Sequence, residues 1–84
     1  MGCPFKAVSD ERRRKILLIL SKEDANAGEI ASKFKISQPT VSNHLRILKE
    51  AGLIKERKFK QNRNYSLNKT NLQKMINTLQ ELSD

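Results

Sequence analysis

Six side chains in one short stretch, Ser37, Gln38, Thr40, Ser42, Asn43 and Arg46, carry hydrogen-bonding groups of the kind that read nucleic acid. The amides of Asn43 and Gln38 suit adenine, the Arg46 guanidinium suits guanine or a phosphate, and the hydroxyls of Ser42 and Thr40 suit either kind of target. A second set is cationic: Lys58, Lys60 and Arg63, with Arg57 beside them, match the phosphates of a polyanion. Other chemistry is poorly supplied. A single Cys3 and a single His44 allow neither an intrachain disulfide nor a Cys/His metal cluster. The nine acidic residues show no ligand spacing beyond the adjacent pairs 10–11 and 23–24, and neighbours on a helix point about 100° apart. With no nucleophile–base pair, carboxylate dyad or phosphate-binding glycine loop, the sequence predicts a binding protein, not an enzyme, with no cofactor and no metal.

The reading residues need a rigid element, and the chain from Ser37 to Leu53 supplies one. Ser37 is a helix cap, Pro39 falls within the first turn where its missing N–H costs nothing, and Gly52 suits the left-handed position past the last turn. Val41, Leu45 and Leu48 make one apolar stripe, and Ser42, Asn43, Arg46 and Lys49 fall on the opposite side. His44 lies at the flank of the stripe, where a half-buried histidine bonded within the motif is expected over a base reader.

Eighty-four residues make a single domain, 1–84, with a thin, mostly aliphatic core, so a partner subunit would help it. The formal charge is +8, and residues 35–63 hold eight basic against two acidic residues. Such clustering favours nucleic acid or an anionic membrane without choosing between them. The apolar run Ile16–Leu20 is too short for a signal peptide or a membrane span, and Lys6 stands where an acylation signal wants Ser or Thr. A cytoplasmic location is expected.

In chain order, Pro4–Val8 makes a turn or two of helix. Ser9 is expected to cap a central buried helix at about 10–21, apolar on every side over Ile16–Leu20, and Lys22–Ala27 is a polar connection. Gly28–Phe34 is a short helix which, with the one that follows, forms a helix-turn-helix over about 28–51, Lys35 standing where the turn glycine is usual. A basic hairpin follows at about 54–67, a wing, with Asn62 expected to take the positive φ of its turn. The last helix, about 69–82 and capped by Asn68 or Thr70, carries Leu72, Met75, Ile76, Leu79 and Leu82 in one stripe. With Phe5 and Val8 beside it, that stripe is expected to form a dimer seam. The predicted fold is mainly α with a small β-hairpin: five helices and a two-stranded wing.

This arrangement resembles the arsenic-repressor (ArsR-type) family of bacterial winged-helix repressors over nearly the whole chain. The matching residues are Phe5–Asp10, Arg13, Arg14, Ile16, Leu17 and Leu20, then Gly28–Ala31, Ser37–Ser42, His44, Leu45, Leu48, Ala51–Ile54 and Tyr65–Leu67. Segment 37–54 is the most specific part. The short form is similar to the family's metal-independent autorepressors of the spore-delay immunity type. The resemblance implies a homodimer built by the first and last helices, a recognition helix in the major groove, and double-stranded DNA as partner. Two departures stand out. The glycine usual near the wing tip is absent from Phe59–Asn62. The family's metal ligands are missing too: their first place reads Glu29–Lys33, and the last helix offers only Glu81 and Asp84. The expected function is a sequence-specific, DNA-binding transcriptional repressor acting as a homodimer on a palindromic operator. A winged-helix protein-interaction module and nonspecific nucleic-acid binding are the alternatives, separated by sequence-dependent affinity at physiological salt.

Overall fold

Four side-chain caps divide the chain. In the computed structural model, which describes residues 2–84, Asp10 accepts from the amides of Arg12 and Arg13 at 2.8 and 3.2 Å and starts α2 (Glu11–Lys22). Asn26 and Glu29 form a reciprocal capping box, at 2.8 and 2.9 Å, that starts α3 (Ala27–Phe34). Ser37 starts α4 (Gln38–Glu50), and Asn68 starts α5 (Lys69–Ser83). Each such cap contributes about 1 kcal/mol by satisfying amides that the helix cannot. A single helical turn, α1 (Pro4–Ala7), precedes them, and β1 (Ile54–Phe59) pairs antiparallel with β2 (Asn62–Leu67) between α4 and α5.

Several expectations are corrected. Asp10, not Ser9, caps α2, because the Ser9 hydroxyl is spent on the Lys6 carbonyl at 2.6 Å, closing α1. Helix α2 is not buried on all sides: Ile16, Leu17 and Leu20 are buried and Ile19 packs partly against the core, but Leu18 is 60% exposed. Helix α3 begins one residue before Gly28, at the box set by Asn26. In the hairpin the positive φ belongs to Lys60 (57°), while Asn62 is already paired with Phe59 in the ladder. The connection before α3 is also more than a linker. Ala25 exchanges backbone hydrogen bonds with Tyr65 at 2.8 and 3.2 Å, adding a one-residue rung to the sheet edge.

Ile16, Ile30, Val41, Leu45, Leu48 and Leu53 are fully buried and hold α2, α3, α4 and the root of the hairpin together. Truncating Leu45 or Leu48 to Ala would cost about 2–5 kcal/mol. The end of α4 is fixed by two bonds, Leu53 N–H to the Leu48 carbonyl at 3.1 Å and Gly52 N–H to Lys49 at 2.9 Å. Gly52 sits at φ +77°, as the sequence predicts. Leu53 thereby folds under the helix and aims the wing. Lys35 takes φ +57° in the turn between α3 and α4, the left-handed conformation its place in the motif demands.

Helix α5 is anchored only at its beginning. Asn68 N–H donates to the Leu53 carbonyl at 2.8 Å, the Asn71 side-chain amide donates to the Gly52 carbonyl at 2.9 Å, and Met75 reaches the core. From Ile76 to Asp84 every residue is exposed.

Candidate nucleic-acid interface

The two sides of α4 are as different as its sequence. Val41, Leu45 and Leu48 are buried, while Gln38, Ser42, Asn43, Arg46 and Lys49 are exposed. The wing stands beside the exposed face. Between them runs a cleft of about 610 Å³, lined by Gln38, Ser42, Arg46 and Lys49 from α4 and by Glu56, Gln61, Asn62, Arg63 and Tyr65 from the hairpin. Three residues of the recognition stretch thus meet one cation of the wing in a single polar surface.

The remaining candidates are placed differently. Ser37 is exposed at the cap, and its Oγ lies 2.8 Å from Thr40 Oγ1. Thr40 is half-buried on the flank away from the cleft, so its hydroxyl serves the helix start before any nucleic acid. Asn43 accepts from Arg46 Nη2 at 2.8 Å, and Glu50 accepts from Arg46 Nη1 at 2.8 Å. These partners hold the guanidinium on the open face of α4. Lys58 and Lys60 are exposed on the wing outside the cleft.

Sequence reasoning passed over Glu56. Its carboxylate accepts from Lys49 Nζ at 2.9 Å and from the Tyr65 hydroxyl at 3.1 Å, and Arg63 Nη1 lies 3.8 Å away. Its side chain is only 17% exposed. The Lys49 hydrogen bond holds the carboxyl below the usual glutamate range against partial desolvation, with Tyr65 and the nearby cations adding to it. Burial first, then the same carboxylate, pushes the Tyr65 hydroxyl up. The one signal in the chain was an acid standing alone in a basic hairpin. Its partners follow from the cross-strand pairing of Glu56 with Tyr65, which a sequence does not print.

His44 is buried, and its partner lies outside the helix-turn-helix. Arg13 Nη1 of α2 sits 3.4 Å from His44 Nδ1. A guanidinium can only donate, so in this contact Nδ1 is the accepting atom. The same guanidinium donates to the Ala7 carbonyl at 2.6 Å and the Lys6 carbonyl at 3.4 Å, which ties α1 and α2 to the recognition helix. Asp10, at the start of α2, is partly desolvated, yet the amides of Arg13 and Arg12 hold it below the usual aspartate range.

A second surface lies on the α1–α5 side. Phe5 of α1 is 42% exposed, and Ile76, Leu79 and Leu82, three apolar residues of the α5 stripe, are exposed at 43, 48 and 80%. Val8 and Leu72 are half-buried against the core, and Met75 is already buried within the chain. A groove of about 240 Å³ between α1 and α5 is lined by Pro4, Phe5, Ala51, Asn71, Lys74, Met75 and Thr78. Among the described residues no three His, Cys, Asp or Glu side chains come together as a metal site, and no helix is long and apolar enough to cross a membrane.

Comparison with known proteins points the same way. Residues 10–56 match the model of the bacterial regulatory protein, arsR family. The transcriptional repressor SdpR of Bacillus subtilis is 52% identical over 77 residues, covering 92% of this chain and 86% of its own. Among solved structures, a possible transcriptional regulator for arsenical resistance superposes with TM-score 0.88 at 26% identity, over 98% of this chain and 85% of the other. The homodimeric winged helix-turn-helix DNA-binding domain of Mb0332 from Mycobacterium bovis gives 0.76 at 25% identity, over 94 and 73%.

Proposed function

The chain belongs to the arsR family of bacterial regulatory proteins, and from that premise we propose that it is a sequence-specific transcriptional repressor acting as a homodimer on a palindromic operator. It is a winged helix-turn-helix transcriptional regulator and not an enzyme. The observation that carries the proposal is the polar face of α4, which shares one cleft with a basic wing. Each subunit lays α4 in a major groove, with Gln38, Ser42, Asn43 and Arg46 toward base edges and Ser37 and Thr40 at the end nearest the backbone. Lys58, Lys60 and Arg63 hold phosphates beside the adjacent minor groove. The exposed Phe5, Ile76, Leu79 and Leu82 close against the same residues of a second copy, with Val8, Leu72 and Met75 behind them, as a twofold contact requires. The homodimeric relative supports that reading. Two recognition helices then face half-sites about 34 Å apart, and occupancy of the operator excludes the transcription machinery. Control is independent of metal, and the protein works in the cytoplasm.

The test is selection from random duplexes at physiological salt, followed by sedimentation of the complex and a promoter fusion. The expected result is one enriched inverted repeat, two chains per duplex, and transcription that falls as the protein is supplied. Equal affinity for all duplexes would reject specificity, and transcription that rises with the protein would reject repression.

A further inference from the structure

The wing tip carries a residue that phosphate binding does not explain. Phe59, the last residue of β1, is 69% exposed, and every other residue from Arg57 to Arg63 is polar and exposed. Its ring has one neighbour of note, Lys60 Nζ, at 5.6 Å from the centroid. Lys60 reaches that place through its positive φ of 57°. One step back, Lys58 and Arg63 are direct cross-strand partners, so two cations face each other across the hairpin. Such a pair weakens a hairpin, and Glu56 at 3.8 Å offsets only Arg63, which leaves Lys58 the cation open to an outside anion.

The position of the tip is set by the protein. Ile54, at the root, is buried under α4, and Glu56 is bonded to Lys49, so the hairpin leaves the recognition helix at a fixed angle. From Glu56 to Phe59 the strand advances about 10 Å. The ring at the end of that arm has Lys60 beside it, while Lys58 and Arg63 point from the opposite face of the hairpin, so a minor groove about 6 Å wide could take the ring with phosphate rims on either side of the tip. A protein partner would instead want a contiguous apolar patch, and the tip offers a single ring.

Resting on the reading of this chain as a DNA-binding regulator, we propose that Phe59 is an apolar wedge. It enters the minor groove beside the recognition site and partly unstacks one base step. Lys60 exchanges the ring for a phosphate as it docks. Asn62, paired with Phe59 across the strands, brings its amide to the same groove floor. The wing therefore bends its operator, and the sequence preference extends to flexible steps that α4 never touches.

The experiment uses the duplex enriched from a random pool by the full chain, with 2-aminopurine at successive steps of the flank under the wing. Phe59→Ala, Phe59→Leu and Lys60→Ala are compared with the wild type, and each site is exposed enough to spare the fold. The wild type should raise the fluorescence of one step per half-site. Phe59→Ala should abolish that rise and weaken binding roughly tenfold, with the salt slope unchanged because no charge is lost. Phe59→Leu should retain part of both. Lys60→Ala should keep the fluorescence and lower the salt slope by about one. A Phe59→Ala chain that binds as tightly as the wild type, or a wild type that unstacks no step, overturns the wedge while leaving specific binding intact. If no duplex is enriched at all, the DNA-binding reading fails first and takes the wedge with it. Vesicles of phosphatidylserine and phosphatidylcholine complete the set. A Phe59→Ala defect confined to them would make the ring a membrane contact and overturn the proposal.

Discussion

Glu56 of the wing and Lys49 of the recognition helix are joined by a 2.9 Å hydrogen-bonded ion pair, and Tyr65 adds a second bond to the same carboxylate. This contact couples the recognition helix to the wing inside the cleft the two elements share. Glu56→Gln should lower stability by about 1 kcal/mol, because a mostly buried acceptor loses its charge but keeps its shape. The same change frees Lys49 and Arg63, so nonspecific affinity at low salt should rise while discrimination between operator and random duplex falls. The pH dependence has a definite sign. A carboxyl held below its ordinary value of 4.5 stabilises the fold above that value, and the contribution is lost as pH falls through the lowered folded value. Acid titration of wild type and Glu56→Gln should converge there. Parallel curves at all pH values would remove Glu56 from the coupling.

Base reading is expected to reside in Asn43 and Arg46. Either one changed to Ala should cost about 1–3 kcal/mol on the operator and little on random DNA. The Asn43–Arg46–Glu50 contacts imply that the two losses are not additive, since each variant also releases its neighbour. Equal losses on both duplexes would assign these side chains to the backbone.

Phosphate affinity is expected from the wing. Neutralising Lys60 or Arg63 should weaken all duplexes alike and reduce the salt slope by about one per lost contact. An unchanged slope measured by titration from low to high salt would take that residue out of the interface.

Ile76 tests the dimer. It is 43% exposed in the single chain, so Ile76→Asp should leave the monomer folded by circular dichroism. Sedimentation should then find single chains, and tight operator binding should disappear. A variant that still sediments as a dimer and binds tightly would place the seam elsewhere.

Metal is expected to be without effect. Cys3 is exposed near the start of the chain, His44 is buried beside Arg13 at the recognition helix, and among the described residues no three possible ligands come together. Operator affinity in chelator and in micromolar zinc, copper or cadmium should agree. A tenfold loss with a stoichiometric ion, about 1.4 kcal/mol of coupling, would overturn this.

What the sequence determined alone was whatever depends on near neighbours. Ser37, Pro39 and Gly52 mark the ends of α4 because caps and φ preferences act within a turn. The Val41–Leu45–Leu48 stripe sets its buried face because side-chain direction repeats every 3.6 residues. The wing and the last helix followed from the same local rules, with small errors at Ser9, Gly28 and Asn62 where two capping or turn residues compete within a few positions. What only the tertiary structure decided was contact across distance. The exposure of Leu18 depends on how many neighbours α2 receives, and a run of five apolar residues does not say. The Arg13–His44 bond spans 31 positions, the Ala25–Tyr65 rung spans 40, and the placing of Glu56 against Lys49 required both the hairpin register and the turn that aims it. Those relations arise only when elements pack, because the groups that make them, side-chain or backbone, are ordinary polar groups until a partner arrives within 3.5 Å.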